Sequence, residues 1–129
     1  MSIPMVSVVV PMYNAAPYTG AALESILGQT WPALEIIIVD DGSTDDSAAI
    51  AARYAGGRLR LVQQANAGAA SARNHGMSLA QGYYIQFFDA DDRMTPDKIA
   101  RQVEALTATP GKVAACGWRP FIHEPGDLA

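Results

Sequence analysis

The chain has 129 residues, half of them hydrophobic and 17% charged, with a formal net charge of −4 at pH 7. That is the composition of one globular domain with a sizeable core, and it excludes a disordered chain. The acidic balance excludes a partner such as nucleic acid, whose phosphate backbone calls for a basic face.

Val6-Ser7-Val8-Val9-Val10 reads as a short strand closed by Pro11. A continuous apolar run of this kind suits a strand covered on both faces of a parallel sheet. The spacing predicts a helix from Tyr18 to Gln29, with Ala22, Ile26 and Gln29 or Leu23, Ile26 and Leu27 as its stripe, ended by Trp31-Pro32. Glu35-Ile36-Ile37-Ile38-Val39 is a second strand of the same character, running into Asp40-Asp41-Gly42-Ser43-Thr44. Ser43 or Thr44 can cap the next helix, Asp45 and Asp46 suit the positive end of its dipole, and Gly56-Gly57 stops it after Tyr54.

Leu59-Arg60-Leu61-Val62 is a third strand, and Asn66-Ala67-Gly68 turns the chain into an Ala-rich helix over residues 69–80. Tyr83-Tyr84-Ile85-Gln86-Phe87-Phe88 reads as a fourth, buried strand. Thr95-Pro96-Asp97 starts a helix with proline at its first position, and Ile99, Val103 and Leu106 face inward. Residues 112–117 are predicted as a last strand. Strands and helices alternate, which implies an α/β fold with a mainly parallel sheet flanked by helices. Residues 1–119 are expected to form the domain and residues 120–129 an irregular tail.

Cys116 is the only cysteine and reads as a buried strand thiol, so no intrachain disulfide is expected. There is no signal-peptide pattern and no apolar run of about 20 residues. The expected setting is the cytoplasm, including the inner face of the membrane, with membrane association only through a longer parent protein.

Asp89-Ala90-Asp91, followed at once by Asp92, stands at the end of the fourth strand. Three carboxylates in four residues repel one another, and a hard divalent cation such as Mn²⁺ or Mg²⁺ relieves that repulsion. With Asp40, Asp41, Asp45 and Asp46 they make seven of the 13 acidic residues, gathered at two points. Ligands of open α/β sheets bind outside the carboxyl ends of the strands. Pro11 to Asn14, Asp40 to Ser43, Asn66 to Gly68 and Asp89 to Asp92 all fall there. A carboxylate at Asp41 suits the ring N–H of a base, Tyr13 offers an apolar face for it, and Asp91 suits a cation bridging a diphosphate. Arg73 either meets phosphate or pairs with an aspartate. Asn74 and Gly76 are assigned to helix packing, and neither His75 nor His123 has a partner at metal-ligand spacing.

These segments together, from Val8-Val9-Val10-Pro11-Met12-Tyr13-Asn14 through Val39-Asp40-Asp41-Gly42-Ser43 and Ala72-Arg73-Asn74-His75-Gly76 to Phe88-Asp89-Ala90-Asp91-Asp92, resemble the N-terminal part of a family 2 glycosyltransferase of the GT-A fold. The resemblance implies an inverting enzyme that moves a sugar from a nucleoside diphosphate sugar, usually UDP-linked, to an acceptor hydroxyl on a glycan, lipid or other molecule. It implies that Pro11, Tyr13, Asn14, Asp40, Asp41, Arg73, Asp89 and Ala90 line the nucleotide-sugar site, and that Asp91 and Asp89 hold Mn²⁺ or Mg²⁺. Family members carry a later acceptor-binding half that supplies the catalytic base. That base is expected beyond Ala129, neither Glu124 nor Asp127 is assigned to it, and these 129 residues alone are expected to be inactive. Apolar surface that such a half would cover makes self-association an expectation too.

Two rivals follow from the same residues. One is a module that binds nucleotide or a partner without turnover. The other is a phosphoryl-transfer protein of the receiver or dehalogenase type, disfavoured because the D-x-D follows the fourth strand and no lysine follows the last.

Overall fold

A computed structural model describes residues 3–114. Its elements in order are β1 (Val6–Met12), α1 (Ala16–Leu27), β2 (Leu34–Asp40), α2 (Ser47–Ala52), β3 (Leu59–Gln63), α3 (Ala69–Leu79), β4 (Tyr84–Phe87) and α4 (Lys98–Ala108). The four strands form one parallel sheet in the order β3-β2-β1-β4. The expected parallel α/β architecture is therefore present. Of the predicted fifth strand, Lys112, Val113 and Ala114 lie in no strand, and the rest of it lies outside the described residues, as do Cys116, His123 and the tail from residue 120.

The apolar runs of β1 and β2 are fully buried because helices cover both of their faces. On one face Val8, Val10, Met12, Ile36 and Ile38 pack with Leu23 and Ile26 of α1, Ala51 of α2, and Ile99 and Val103 of α4. On the other face Ile37 and Val39 pack with Ala72 of α3. Removing each such Val or Ile side chain from water stabilises the fold by about 1.5–3 kcal/mol. Gly76, one turn after Ala72, brings α3 down onto the sheet, since a Cβ there would overlap Val9 Cγ1 and lie 3.3 Å from Val39 Cγ2. Its packing role is as expected.

Pro11 does not close β1. The strand runs on to Met12, pairing Pro11 with Val39 and Met12 with Asp40 of β2. Met12 faces β2, where its carbonyl accepts from Asp41 N, and Val9 faces β4, where its carbonyl accepts from Phe88 N. Alternation then turns the Pro11 nitrogen toward β4, which has stopped at Phe87, level with Val9. No ladder donor is needed there, so proline is tolerated.

β4 is not the buried strand its composition suggests. Among the described residues it is an edge strand, paired with β1 alone, and its residues alternate between half-buried and exposed. Ile85 and Phe87 pair with Ser7 and Val9 and so share the α3 face, but α3 packs over β1 and β2 and leaves both about 40% exposed. α1 also ends earlier than predicted, with Gly28 at its C-cap. Gln29, instead of joining a stripe, donates to Thr95 O at 2.7 Å and accepts from Ile99 N at 3.1 Å, fixing the start of α4. α4 begins at Lys98 behind Asp97, so Pro96 precedes the helix.

Candidate functional site

Because all four strands are parallel, the loops after β1, β2, β3 and β4 leave one edge of the sheet. The first two are bound together by Asn14. Its Oδ1 accepts from Thr44 N at 2.8 Å and Asp45 N at 3.3 Å, and its own N–H donates to Ser43 Oγ at 3.0 Å. Asn14 adopts φ 46°, a left-handed conformation that asparagine tolerates better than most residues. Ser43 and Thr44 are thus occupied with Asn14 and do not cap α2. That helix starts behind Asp46, and Asp45 instead accepts from Ser47 N at 2.9 Å and Ala16 N at 3.2 Å. These backbone bonds and, first of all, the Ser47 hydroxyl hold the Asp45 carboxyl below its ordinary range.

Asp40 and Asp41 are both buried, and their carboxylates do different things. Asp40 accepts from Ser43 N at 3.1 Å and Gln63 Nε2 at 3.3 Å, closing the turn after β2. Asp41 gathers the loop between β3 and α3. Its Oδ1 accepts from Gln64 Nε2 at 2.9 Å and Ala67 N at 2.8 Å. Its Oδ2 accepts from Gly68 N at 3.0 Å and Asn66 Nδ2 at 3.3 Å. The Gln64 amide, then the Ala67 N–H, hold the Asp41 carboxyl below its ordinary range, against the opposing effect of burial. Gly42, at φ 75°, lets this loop close, since a Cβ would stand 2.9 Å from Asn66 N. Gln64 in turn meets His75 of α3, its Oε1 lying 2.9 Å from His75 Nδ1.

The acidic cluster follows β4. Asp89, Asp91 and Asp92 each present a carboxylate oxygen within 4.8 Å of the others, and all three are exposed. Desolvation, then the charges of Asp91 and Asp89, push the Asp92 carboxyl above its ordinary range. A group of hard, crowded oxygens is the donor set that a divalent cation fits. Asp89 also accepts from Arg73 of α3, Nη2 to Oδ1 at 3.4 Å. Of the two expectations for Arg73, an aspartate partner is the one seen.

Of the predicted residues, Tyr13 stands half-exposed at the edge, while Pro11 is buried in β1. Asn14, Asp40 and Asp41 hold loops together by hydrogen bonds, and Arg73 joins α3 to the acidic cluster. Ala90 is buried and belongs to the core cluster that includes β1 and β2, so its side chain fastens the acidic loop to the sheet. Gln64 and His75 were not singled out from sequence. A polar residue just past a strand end is the sequence signal for Gln64, and for His75 the sequence offers none that points to Gln64.

A sequence model described as glycosyl transferase family 2 matches residues 7–128. The chain belongs to that family. It is 52% identical over 123 residues to an uncharacterized glycosyltransferase of Escherichia coli K12, YibD, covering 94% of this chain and 36% of that protein. It is 39% identical over 138 residues to a putative teichuronic acid biosynthesis glycosyltransferase of Bacillus subtilis 168, TuaG, covering 97% of this chain and 55% of that one. Among solved structures, the mannosyltransferase PcManGT of Pyrobaculum calidifontis, in complex with GDP-Man and Mn²⁺, is similar with a TM-score of 0.78 and 35% identity over 83% of this chain and 33% of that one. Staphylococcus aureus TarS 1–349 with UDP-GlcNAc gives 0.76 and 29%, over 81% and 31%. The fold is the GT-A fold. This family 2 chain spans only about a third to a half of the length of these relatives.

Proposed function

We propose that this chain is the donor-binding half of an inverting glycosyltransferase, which moves a sugar from a UDP-linked donor to an acceptor hydroxyl. The observation that carries the reading is the convergence on one sheet edge of an exposed tyrosine ring, a buried aspartate with its loop, and a cation-type carboxylate cluster next to an arginine. It is supported by solved relatives that hold UDP-GlcNAc or GDP-Man with Mn²⁺. In this reading Tyr13, between Pro11 and Asn14 in the chain, covers one face of the base. Asp41 accepts from the base N–H in place of Asn66 Nδ2, which makes the longest of its four side-chain contacts and comes from an exposed residue. Asp40 and Ala90 hold the two acidic loops in place.

Asp91 and Asp89, with Asp92 beside them, would hold Mn²⁺ or Mg²⁺, which supplies neutralisation of charge on a diphosphate leaving group. Arg73 shares its guanidinium between Asp89 and the diphosphate. No residue of this chain is assigned as catalytic base, and the acceptor site belongs to sequence beyond it. Titration of UDP into the purified chain by calorimetry, first with Mn²⁺ and then with EDTA, tests the donor site. Binding that requires Mn²⁺ is expected, and absence of binding in both conditions would refute the reading.

A further inference from the structure

Asp41 is the end of a relay that reaches back onto α3, and the proton positions along it follow from elementary chemistry. An ionised carboxylate only accepts hydrogen bonds, so Gln64 must turn its amide nitrogen toward Asp41 Oδ1, at 2.9 Å. That leaves the Gln64 carbonyl oxygen toward His75, and a carbonyl oxygen cannot donate. His75 Nδ1, 2.9 Å away, must therefore carry a proton. A bare Nδ1 would set two lone pairs against each other and drive the Gln64 amide to flip, pointing its oxygen at the Asp41 carboxylate. Ser71 Oγ, one turn before His75 on the same side of α3, lies 3.5 Å from Gln64 Nε2. Asp41 from the loop after β2 and Ser71 and His75 from α3 thus surround one amide, and they fix which way it points.

We propose that Gln64 and His75 are positioning residues for base selection, holding the Asp41 carboxylate ionised and in one orientation; this rests on the reading of Asp41 as the base contact. The relay works as the outer partners of metal-binding histidines do, by setting the tautomer and angle of the group that touches the ligand. Without it Oδ1 keeps only the Ala67 N–H and Oδ2 the Gly68 N–H and the Asn66 amide, so the carboxylate loses the shorter of its two side-chain anchors and its tilt is less tightly fixed. A base that offers one N–H at a fixed angle then loses its advantage over one with a different edge.

The test joins nitrogen-15 NMR of the histidine side chains to calorimetry with UDP and GDP in the presence of Mn²⁺. His75 should show a protonated Nδ1, and Gln64→Leu should release that constraint. His75→Leu and Gln64→Leu should each lower the preference for UDP over GDP about tenfold, the scale of one lost charge-assisted hydrogen bond. His75→Asn should restore it, because its amide nitrogen replaces Nδ1–H. A bare Nδ1 in the unaltered chain would overturn the proposal. So would an unchanged preference in both leucine variants when Asp41→Asn lowers it. If Asp41→Asn itself changes nothing, or the unaltered chain binds neither nucleotide, the base-contact reading fails and the selectivity role with it, whatever the histidine tautomer.

Discussion

Arg73 Nη2 lies 3.4 Å from Asp89 Oδ1, and the pair bridges α3 to the loop that follows β4. Both side chains are about half exposed, so solvent screens the attraction and its share of stability is small. Arg73→Ala should shift folding stability by no more than about 0.5 kcal/mol in urea unfolding. UDP affinity in Mn²⁺ should fall about tenfold if the guanidinium also meets the diphosphate. A large stability loss with unaltered UDP binding would make the arginine structural only.

Asp91 is exposed and makes its contribution through charge. Asp91→Asn should therefore leave the unfolding midpoint nearly unchanged while weakening Mn²⁺-dependent UDP binding by about tenfold or more. Unchanged binding in Mn²⁺ would remove Asp91 from the metal site.

Gly76 leaves no room for a Cβ between α3 and Val9 of the sheet. Gly76→Ala should destabilise by about 1–3 kcal/mol, the usual cost of forcing atoms into a filled core. The gain in helix propensity, about 1 kcal/mol, offsets only part of this. Urea unfolding measures it, and a variant more stable than the parent would mean that Val9 moves aside freely.

Asp41 predicts a pH dependence. Its folded carboxyl sits below the ordinary 3.8, so its contribution to stability is fully present above that value and is lost as pH falls toward the lowered one. The gap in melting temperature between the parent and Asp41→Asn should be widest near neutrality and should close below about pH 3.8. A gap that stays constant with pH would show that charge is not what holds the loop.

Asp92 has the opposite sign. Its folded carboxyl sits above the ordinary value, so ionising it costs stability at neutral pH, and that cost vanishes as pH falls to 3.8. Without divalent ion, Asp92→Asn should melt higher than the parent at pH 7, by an amount kept small by solvent screening. The difference should shrink on acidification and on adding Mn²⁺ to the parent. A lower melting temperature at pH 7 would mean that the crowding of Asp92 is already relieved.

Much of this protein was legible in its residues. The runs Val8–Val10 and Ile36–Val39 have no polar face, which only a sheet covered on both sides accommodates, and the alternation with helices then forces parallel strands and a shared carboxyl edge. Local chemistry also marked Asp89, Asp91 and Asp92, because like charges so close in sequence stay close in space. What only the tertiary structure decided depends on partners distant in the chain. β4 looked buried from its composition, yet exposure follows from where α3 lies. Pro11 looked like a strand end, yet it is tolerated because the neighbour strand stops first. Asn14, Gln64 and His75 meet residues 30, 23 and 11 positions away, and no local pattern encodes such pairings. Periodicity and charge act along the chain, whereas the hydrogen bonds that orient Asp41 exist only once separate strands and a helix have been packed against one another.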